Sequence, residues 1–432
     1  MKLTVIGTGY LGATHAAAMA ELGHDVLGID VDQHKVDVLN AGRVPFYEPG
    51  LPELVERNIA AGRLRFTTDY EQVGAFGDVH FICVGTPQKK GEYAADLSYV
   101  DGAVESLLPV LRPGALVVGK STVPSGTAVR LAGLLAPAGA DLVWNPEFLR
   151  EGFAVEDTLR PDRIVMGTSS DWAAKLLSEV YADILDTGTP LIITDFATAE
   201  LVKVAANSFL ATKISFINAM AEVCEATGAD VTKLAEALSH DVRIGGRFLH
   251  AGLGFGGGCL PKDIRAFMAR AGELGVDQAL SFLREIDQIN LRRRARMVDL
   301  ARELCDGTLA GVRVAVLGAA FKPNSDDIRD SPALDVALTV QRAGAAVRVY
   351  DPQAMDNARR DYPTLAYATS AVDAARDADV VLHLTEWAEF REMHPSVLTD
   401  VVGQLRIVDG RNALDRELWR AEGWTYRALG RT

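Results

Sequence analysis

The stretch Leu3-Thr4-Val5-Ile6-Gly7-Thr8-Gly9-Tyr10-Leu11-Gly12, with Asp30 closing the next apolar run Asp25–Ile29, decides the fold. A short β-branched strand runs into a glycine turn and then into an alanine-rich helical pattern. Gly7 permits the tight turn, Gly9 lets backbone approach a pyrophosphate, and Gly12 allows the helix to close on the strand, with the helix N-terminus facing phosphates. Asp30 lies 18 residues beyond Gly12. An acid there accepts both ribose hydroxyls and repels a 2′-phosphate, so the pattern points to NAD rather than NADP. Gly7, Gly9, Tyr10, Leu11, Gly12 and Asp30 are the expected cofactor contacts, with Lys35 covering the adenosine. A glycine turn without a ligand is the bland alternative, and the strand before it and the acid after it argue against that.

Working outward, Asp25–Ile29, Val79–Val84, Leu116–Gly119 and Asp141–Trp144 read as further buried strands alternating with helical patterns, which predicts a parallel sheet covered on both faces. This unit spans 1–195. From Phe196 to Thr227 no Gly or Pro interrupts the apolar spacing, so a long helix is expected, a spine and a candidate dimer face. A helical pattern resumes from Pro261 to about Arg294, its charged run Leu291–Arg296 read as a solvated face, and a helical middle domain is set at 196–300. The opening pattern then recurs at Val312–Leu317, Val347–Tyr350, Val380–Leu384 and Arg406–Val408, giving a third domain over 301–432. That repeat has Gly318-Ala319-Ala320 in place of the full fingerprint. The expectation is therefore an α/β fold: two Rossmann-like, doubly wound domains joined by a long central helix.

Composition limits the function. The 432 residues carry 44 Lys and Arg against 58 Asp and Glu, a net charge of −14, which excludes a sequence-independent grip on nucleic acid. No apolar stretch is long enough to cross a bilayer, and a soluble, cytoplasmic protein is expected. Cys83, Cys224, Cys259 and Cys305 are far apart without a CxxC pair, and the eight histidines lack ligand spacing, so neither a disulfide framework nor a metal is expected.

Several loops carry candidate chemistry. Thr86, in Gly85-Thr86-Pro87, and Thr122, in Ser121-Thr122-Val123-Pro124, follow strand ends, where hydroxyls either bond a ligand or only shape turns. Glu147, in Asn145-Pro146-Glu147-Phe148-Leu149, can exchange a proton with a reacting centre or be a solvated loop acid. Lys203 and Asn207 share one helical face; Lys203 can donate to an oxyanion, although a snorkelling surface lysine is the simpler reading. The segment Phe255-Gly256-Gly257-Gly258-Cys259-Leu260-Pro261-Lys262-Asp263 is the most informative. Pro261 suits a helix start, so Cys259 falls at a helix N-terminus, where the macrodipole and Lys262 favour the nucleophilic thiolate. Asp263 can orient a base or water. Cys83, inside an apolar strand, reads as core. A dinucleotide site together with an activated cysteine implies oxidation past an aldehyde, through a thiohemiacetal and a thioester.

In order along the chain these segments resemble the UDP-glucose/GDP-mannose dehydrogenase family, including Glu200-Leu201-Val202-Lys203 and Ala320-Phe321-Lys322. The resemblance implies NAD-dependent, four-electron oxidation of UDP-glucose at C6 to UDP-glucuronate by a homodimer built on the long helix. It implies Cys259 as nucleophile, Lys203 as oxyanion donor, Asn207 and Asp263 as supports, and Glu147 and Thr122 around a proton-relaying water. Thr86, Thr122, Glu151 and Arg329 are implied to border the cofactor. Glu147, Phe148, Leu149, Glu151, Lys203, Asn207, Phe248, Leu249, Gly252, Lys322 and Arg411 are implied to border the sugar nucleotide, and Arg243 to reach a neighbouring subunit's substrate. Two departures stand out: Gly258 where many relatives have Ser, and Leu260-Pro261, which also occurs in the GDP-mannose branch. GDP-mannose or a UDP-N-acetylamino sugar is thus the alternative substrate, and a two-electron hydroxyacid dehydrogenase the alternative chemistry.

Overall fold

The computed structural model describes residues 1–431. The chain divides into two compact units: 1–206 with 265–275, and 207–264 with 276 onward. The helical segment 196–300 is shared between them.

The first unit holds an eight-stranded sheet of β1 (Lys2–Ile6), β2 (Asp25–Ile29), β3 (Leu64–Thr67), β4 (Val79–Ile82), β5 (Leu116–Gly119), β6 (Asp141–Trp144), β7 (Ile164–Gly167) and β8 (Leu191–Thr194). Its order is β3-β2-β1-β4-β5-β6-β7-β8. The first six strands are parallel in the dinucleotide-binding order, in register from Lys2 opposite Asp25 to Ile6 opposite Ile29. The sheet is not wholly parallel: β7 meets β6 antiparallel at Trp144 and Gly167, and β8 runs parallel to β7. Successive strand residues feed two cores, Leu3, Val5 and Phe81 on one face and Ile6, Ile82 and Val117 on the other. Helix α1 (Tyr10–Glu21) buries Ala13, Ala16, Ala17, Ala18 and Ala20 against the first of these; side chains this small let a helix approach a sheet closely.

Helix α2 (Phe196–Thr227) runs unbroken for 32 residues, about 48 Å, because no helix breaker interrupts it. The single helical pattern expected after Pro261 is two helices, α3 (Leu260–Glu273) and α4 (Ser281–Leu304). The break falls at Gly275, whose φ of +73° is the left-handed conformation that closes a helix. The run Leu291–Arg296 is not a solvated face. Arg293 and Arg294 are buried on α4, and Arg293 Nη2 lies 2.9 Å from Glu225 Oε1, so ion pairs compensate the buried charge.

The second unit carries a six-stranded, wholly parallel sheet of β9 (Arg313–Leu317), β10 (Ala346–Tyr350), β11 (Ala366–Tyr367), β12 (Val380–His383), β13 (Arg406–Asp409) and β14 (Thr425–Ala428), ordered β11-β10-β9-β12-β13-β14. The centre is the expected Rossmann-like repeat. No helix among the described residues is long and apolar enough to cross a membrane.

Candidate active site

In the first unit the glycine turn has the geometry its residues predict. Gly7 sits at φ +87°, its N–H donating to Ile29 O at 2.8 Å. A Cβ on Gly12 would stand 1.7 Å from Gly7 O, so no other residue fits there. A Cβ on Gly9 would meet nothing within 4 Å, and Gly9 begins α1 with no side-chain cap. The helix N-terminus therefore opens onto space with its N–H groups available, which fits a pyrophosphate. Asp30 Oδ2 accepts from Thr8 N at 2.8 Å and Thr8 Oγ1 at 3.0 Å, while Oδ1 faces Lys35 Nζ at 3.8 Å. The acid is thus fixed beside the turn.

The loops after β4 and β5 are tied to each other. Thr86 Oγ1 donates to Thr122 O at 2.7 Å and Ser121 Oγ to Val84 O at 2.7 Å. Glu200 of α2 accepts from Gly126 N and Ala128 N, both at 2.7 Å, anchoring the far end of the Thr122 loop. Glu147 follows β6; its Oε1 accepts from Phe148 N at 2.7 Å and Leu149 N at 3.1 Å, and its Oε2 lies 3.1 Å from Lys120 Nζ. It is therefore an ordered acid rather than a freely solvated one. Phe148 lies between cations, its ring centroid 3.8 Å from Arg163 Cζ and 5.6 Å from Lys203 Nζ. Glu151 is buried. Cys83 is a core residue as expected, its thiol pushed up to about 12 by burial.

In the second unit, Cys259 is exposed and outside any disulfide. It immediately precedes α3, and its carbonyl accepts from Asp263 N at 3.0 Å. Asp263, 2% exposed, uses one carboxylate oxygen for Asn207 Nδ2 at 2.6 Å and the other for Lys262 Nζ. The Lys262 charge is thus engaged by Asp263, and Cys259 stands at the N-terminus of α3, a position that favours a thiolate.

The glycine-rich loop before Cys259 is held from below. Asn290 of α4 pairs with Phe255 as a strand would, Oδ1 accepting from N at 2.8 Å and Nδ2 donating to O at 2.9 Å. Arg411 spans Leu384 O at 2.7 Å, Gly254 O at 2.9 Å and Phe321 O at 3.2 Å. Arg329 Nη2 lies 2.7 Å from Asp327 Oδ2, and the guanidinium rests on Gly258, where a Cβ would be 2.3 Å from Arg329 Cζ. Arg329 therefore lies against the residue that precedes Cys259. Gly252 N donates to Asn218 Oδ1 at 2.9 Å, and Leu249 is buried. Phe248 adopts φ +65°, an uncommon conformation for an aromatic residue. Lys322 Nζ lies 5.3 Å from the Phe321 ring centroid, and Arg243 is exposed and paired with Asp241 at 2.6 Å.

The second sheet also has an acid beside its turn. Asp351, just after β10, accepts from Ala319 N at 2.7 Å, Ala320 N at 2.9 Å and Trp387 Nε1 at 3.0 Å, which ties the turn after β9 to the end of β10.

Residues 1–185 match the NAD binding domain of the UDP-glucose/GDP-mannose dehydrogenase family, 197–292 its central domain and 315–416 its UDP binding domain. The chain belongs to this family. It is an NAD-dependent oxidoreductase. The UDP-glucose 6-dehydrogenase of Rhizobium meliloti (strain 1021) is 42% identical over the full length of both chains. The solved UDP-glucose dehydrogenase of Pyrobaculum islandicum superposes with a TM-score of 0.91 at 38% identity, covering 100% of this chain and 98% of that one. The UDP-D-ManNAc dehydrogenase of Pyrococcus horikoshii superposes at 0.87 with 28% identity, covering 100% and 99%.

Within this family frame, the groups that sequence reasoning passed over are Lys120, Arg163, Asn290 and Asp351. Lys120 had a signal, a lysine closing an apolar strand. A polar amide inside an amphipathic helix was the signal for Asn290. Asp351 ends its strand as Asp30 does, which is a local signal, whereas Arg163 meets Phe148 through the fold, which no local pattern records.

Proposed function

We propose that the chain oxidises UDP-glucose at C6 to UDP-glucuronate, with Cys259 carrying the second half of the reaction as a covalent thiohemiacetal and thioester. The observation that supports this best is an exposed cysteine at the N-terminus of α3, next to a buried carboxylate shared by Asn207 and Lys262. A structural cysteine has no need of that setting, as Cys83 illustrates.

The Gly7–Gly12 turn would hold NAD, with Asp30 and Lys35 on its adenosine ribose, and the bound cofactor would supply the hydride acceptor for each of two oxidations. The residues of the chain do the rest. Glu147, through water ordered with Thr122, takes the hydroxyl proton as C6 becomes an aldehyde. The Cys259 thiolate adds to that carbonyl, forming a C–S bond and an alkoxide that Lys203 and Asn207 stabilise. Loss of the second hydride leaves a thioester. Water adds to it and the thiolate leaves, giving the acid. Lys322, Arg411, Leu249 and Gly252 hold the nucleotide sugar, and Phe148, Leu149 and Glu151 the sugar side.

The preference for glucose over N-acetylmannosamine rests on the higher identity to the named UDP-glucose enzymes. A homodimer on α2 fits its exposed Phe209, Phe216 and Val223, each seven residues from the next and so on one helical face. The test is stoichiometry and choice. Two NADH per UDP-glucose, with slower turnover of UDP-N-acetylmannosamine and GDP-mannose, is expected. One NADH per sugar, or a preference for either rival, overturns the reading.

A further inference from the structure

Lys120 has no part in the chemistry above, yet it is among the most completely enclosed charges of the first unit. It follows β5 and its side chain is 4% exposed. Its ammonium has three donors and meets three acceptors: Glu147 Oε2 at 3.1 Å, Asn145 Oδ1 at 3.1 Å and Tyr181 Oη at 3.4 Å. Burial opposes its charge, but the Glu147 carboxylate and the Tyr181 hydroxyl hold its pKa above the ordinary lysine value. It is a permanent cation, unsuited to serve as a base.

The frame around it is rigid. Tyr181 Oη donates to Asn145 Oδ1 at 2.8 Å, and Asn145 Nδ2 donates to Val165 O at 2.8 Å, so the ammonium is bolted to β6 and β7 as well as β5. The other titratable groups facing it stay neutral. Burial pushes both the Cys83 thiol and the Tyr181 phenol up to about 12, and burial, then Lys120 itself, drives the His15 imidazole well below its usual value. Glu147 is left as the counter-charge. Its other oxygen is fixed by two backbone N–H groups of its own loop.

We propose that Lys120 is a positioning residue for Glu147, fixing the carboxylate's orientation and supplying the counter-charge to which it returns after each proton transfer. This rests on the reading of Glu147 as a proton relay. A lysine that merely braced the strand ends would affect melting and leave proton chemistry alone.

The test is a double-mutant cycle of Lys120→Met with Glu147→Gln, read by steady-state kinetics across pH, with melting temperatures recorded. Lys120→Met is expected to lower kcat by about tenfold or more, with both KM values within about threefold. The fall in kcat should be larger than any fall in melting temperature accounts for, which a lysine that only braced the strand ends would not give. The double variant should be no slower than Glu147→Gln alone, since Lys120 acts through that side chain. Where Met does not fold, Lys120→Gln removes the charge, keeps a donor and gives the same readings. An unchanged kcat, or losses that multiply in the double variant, overturn the proposal while Glu147→Gln remains impaired. Normal turnover by Glu147→Gln removes the proton-relay reading itself, and the role of Lys120 with it.

Discussion

Asn207 Nδ2 stands 2.6 Å from Asp263 Oδ2, so one buried carboxylate joins the middle of α2 to the first turn of α3, four residues after the exposed sulfur of Cys259. The second oxygen holds Lys262. The carboxylate therefore sets the direction of two polar groups at once, and an amide in its place would keep the volume and lose the charge. Asp263→Asn should lower stability by about 1.5–3 kcal/mol, the worth of a charged hydrogen bond, and, on the role proposed above for Asn207 at the alkoxide, lower kcat more than KM. Urea unfolding and steady-state kinetics measure the two losses. Wild-type kcat in a folded variant would separate Asp263 from the chemistry.

Cys259→Ala removes the sulfur and keeps the bond from the residue's carbonyl to Asp263 N. NAD affinity by calorimetry should stay within about twofold of the wild type, and uronate formation should disappear. Uronate produced at the normal rate would end the thioester mechanism.

The legible part of this fold was its glycine turns and its fully buried strands, because both are imposed locally. Gly12 admits no side chain against Gly7, and Leu116–Gly119 is apolar on both faces because both faces are covered. Ile164–Gly167, fully buried, and Thr425–Ala428 escaped, and the other missed strands are short or half-exposed. Leu64–Thr67 alternates buried and exposed residues at the sheet edge, Leu191–Thr194 exposes Ile192 and Ile193, and Ala366–Tyr367 is two residues long. Cys259 could be singled out because its neighbours in sequence are its environment. Lys120 showed only a lysine closing an apolar strand, because Glu147, Asn145 and Tyr181 reach it from remote positions. Arg293 misled for the same reason: a run of arginines looks solvated until Glu225 is brought to it.

Gly258 marks a departure with a consequence that can be measured. A Cβ there would stand 2.3 Å from Arg329 Cζ, so Gly258→Ser must push the guanidinium away from its seat against Gly258. Arg329 is 58% exposed, so the stability cost should stay below about 1 kcal/mol. Turnover should fall if the seated guanidinium assists the site, and Arg329→Ala should reproduce most of that fall with little added in the double variant. Independent, multiplying losses would show that the two residues do not act through one contact.

The face of α2 bearing Phe209, Phe216 and Val223 offers a direct test of assembly. Phe209→Asp with Phe216→Asp places charge on an otherwise apolar stripe without touching Asn207. Sedimentation should report a dimer for the wild type and a monomer for the variant. A wild-type monomer, or a variant that still dimerises, removes α2 from the interface.

Stability should decline on mild acidification, and the sign follows from buried histidines. His80 is pushed down to about 4 by burial, with its Nδ1 2.7 Å from Thr4 Oγ1, whereas the unfolded chain takes up its proton near 6.5. Between those values the unfolded state binds more protons, so the stabilising contribution is complete above about pH 6.5 and is lost as pH falls towards 4, reaching about 3 kcal/mol from this side chain. His15 and His24 are also lowered, burial being the first cause for each, and add in the same direction. Urea midpoints should therefore fall steadily from pH 7 to pH 5 in the wild type. His80→Gln, which keeps a polar partner for Thr4 but cannot titrate, should flatten that slope. An equal slope in the variant would mean that His80 is charged in the folded protein and that the acid sensitivity arises elsewhere.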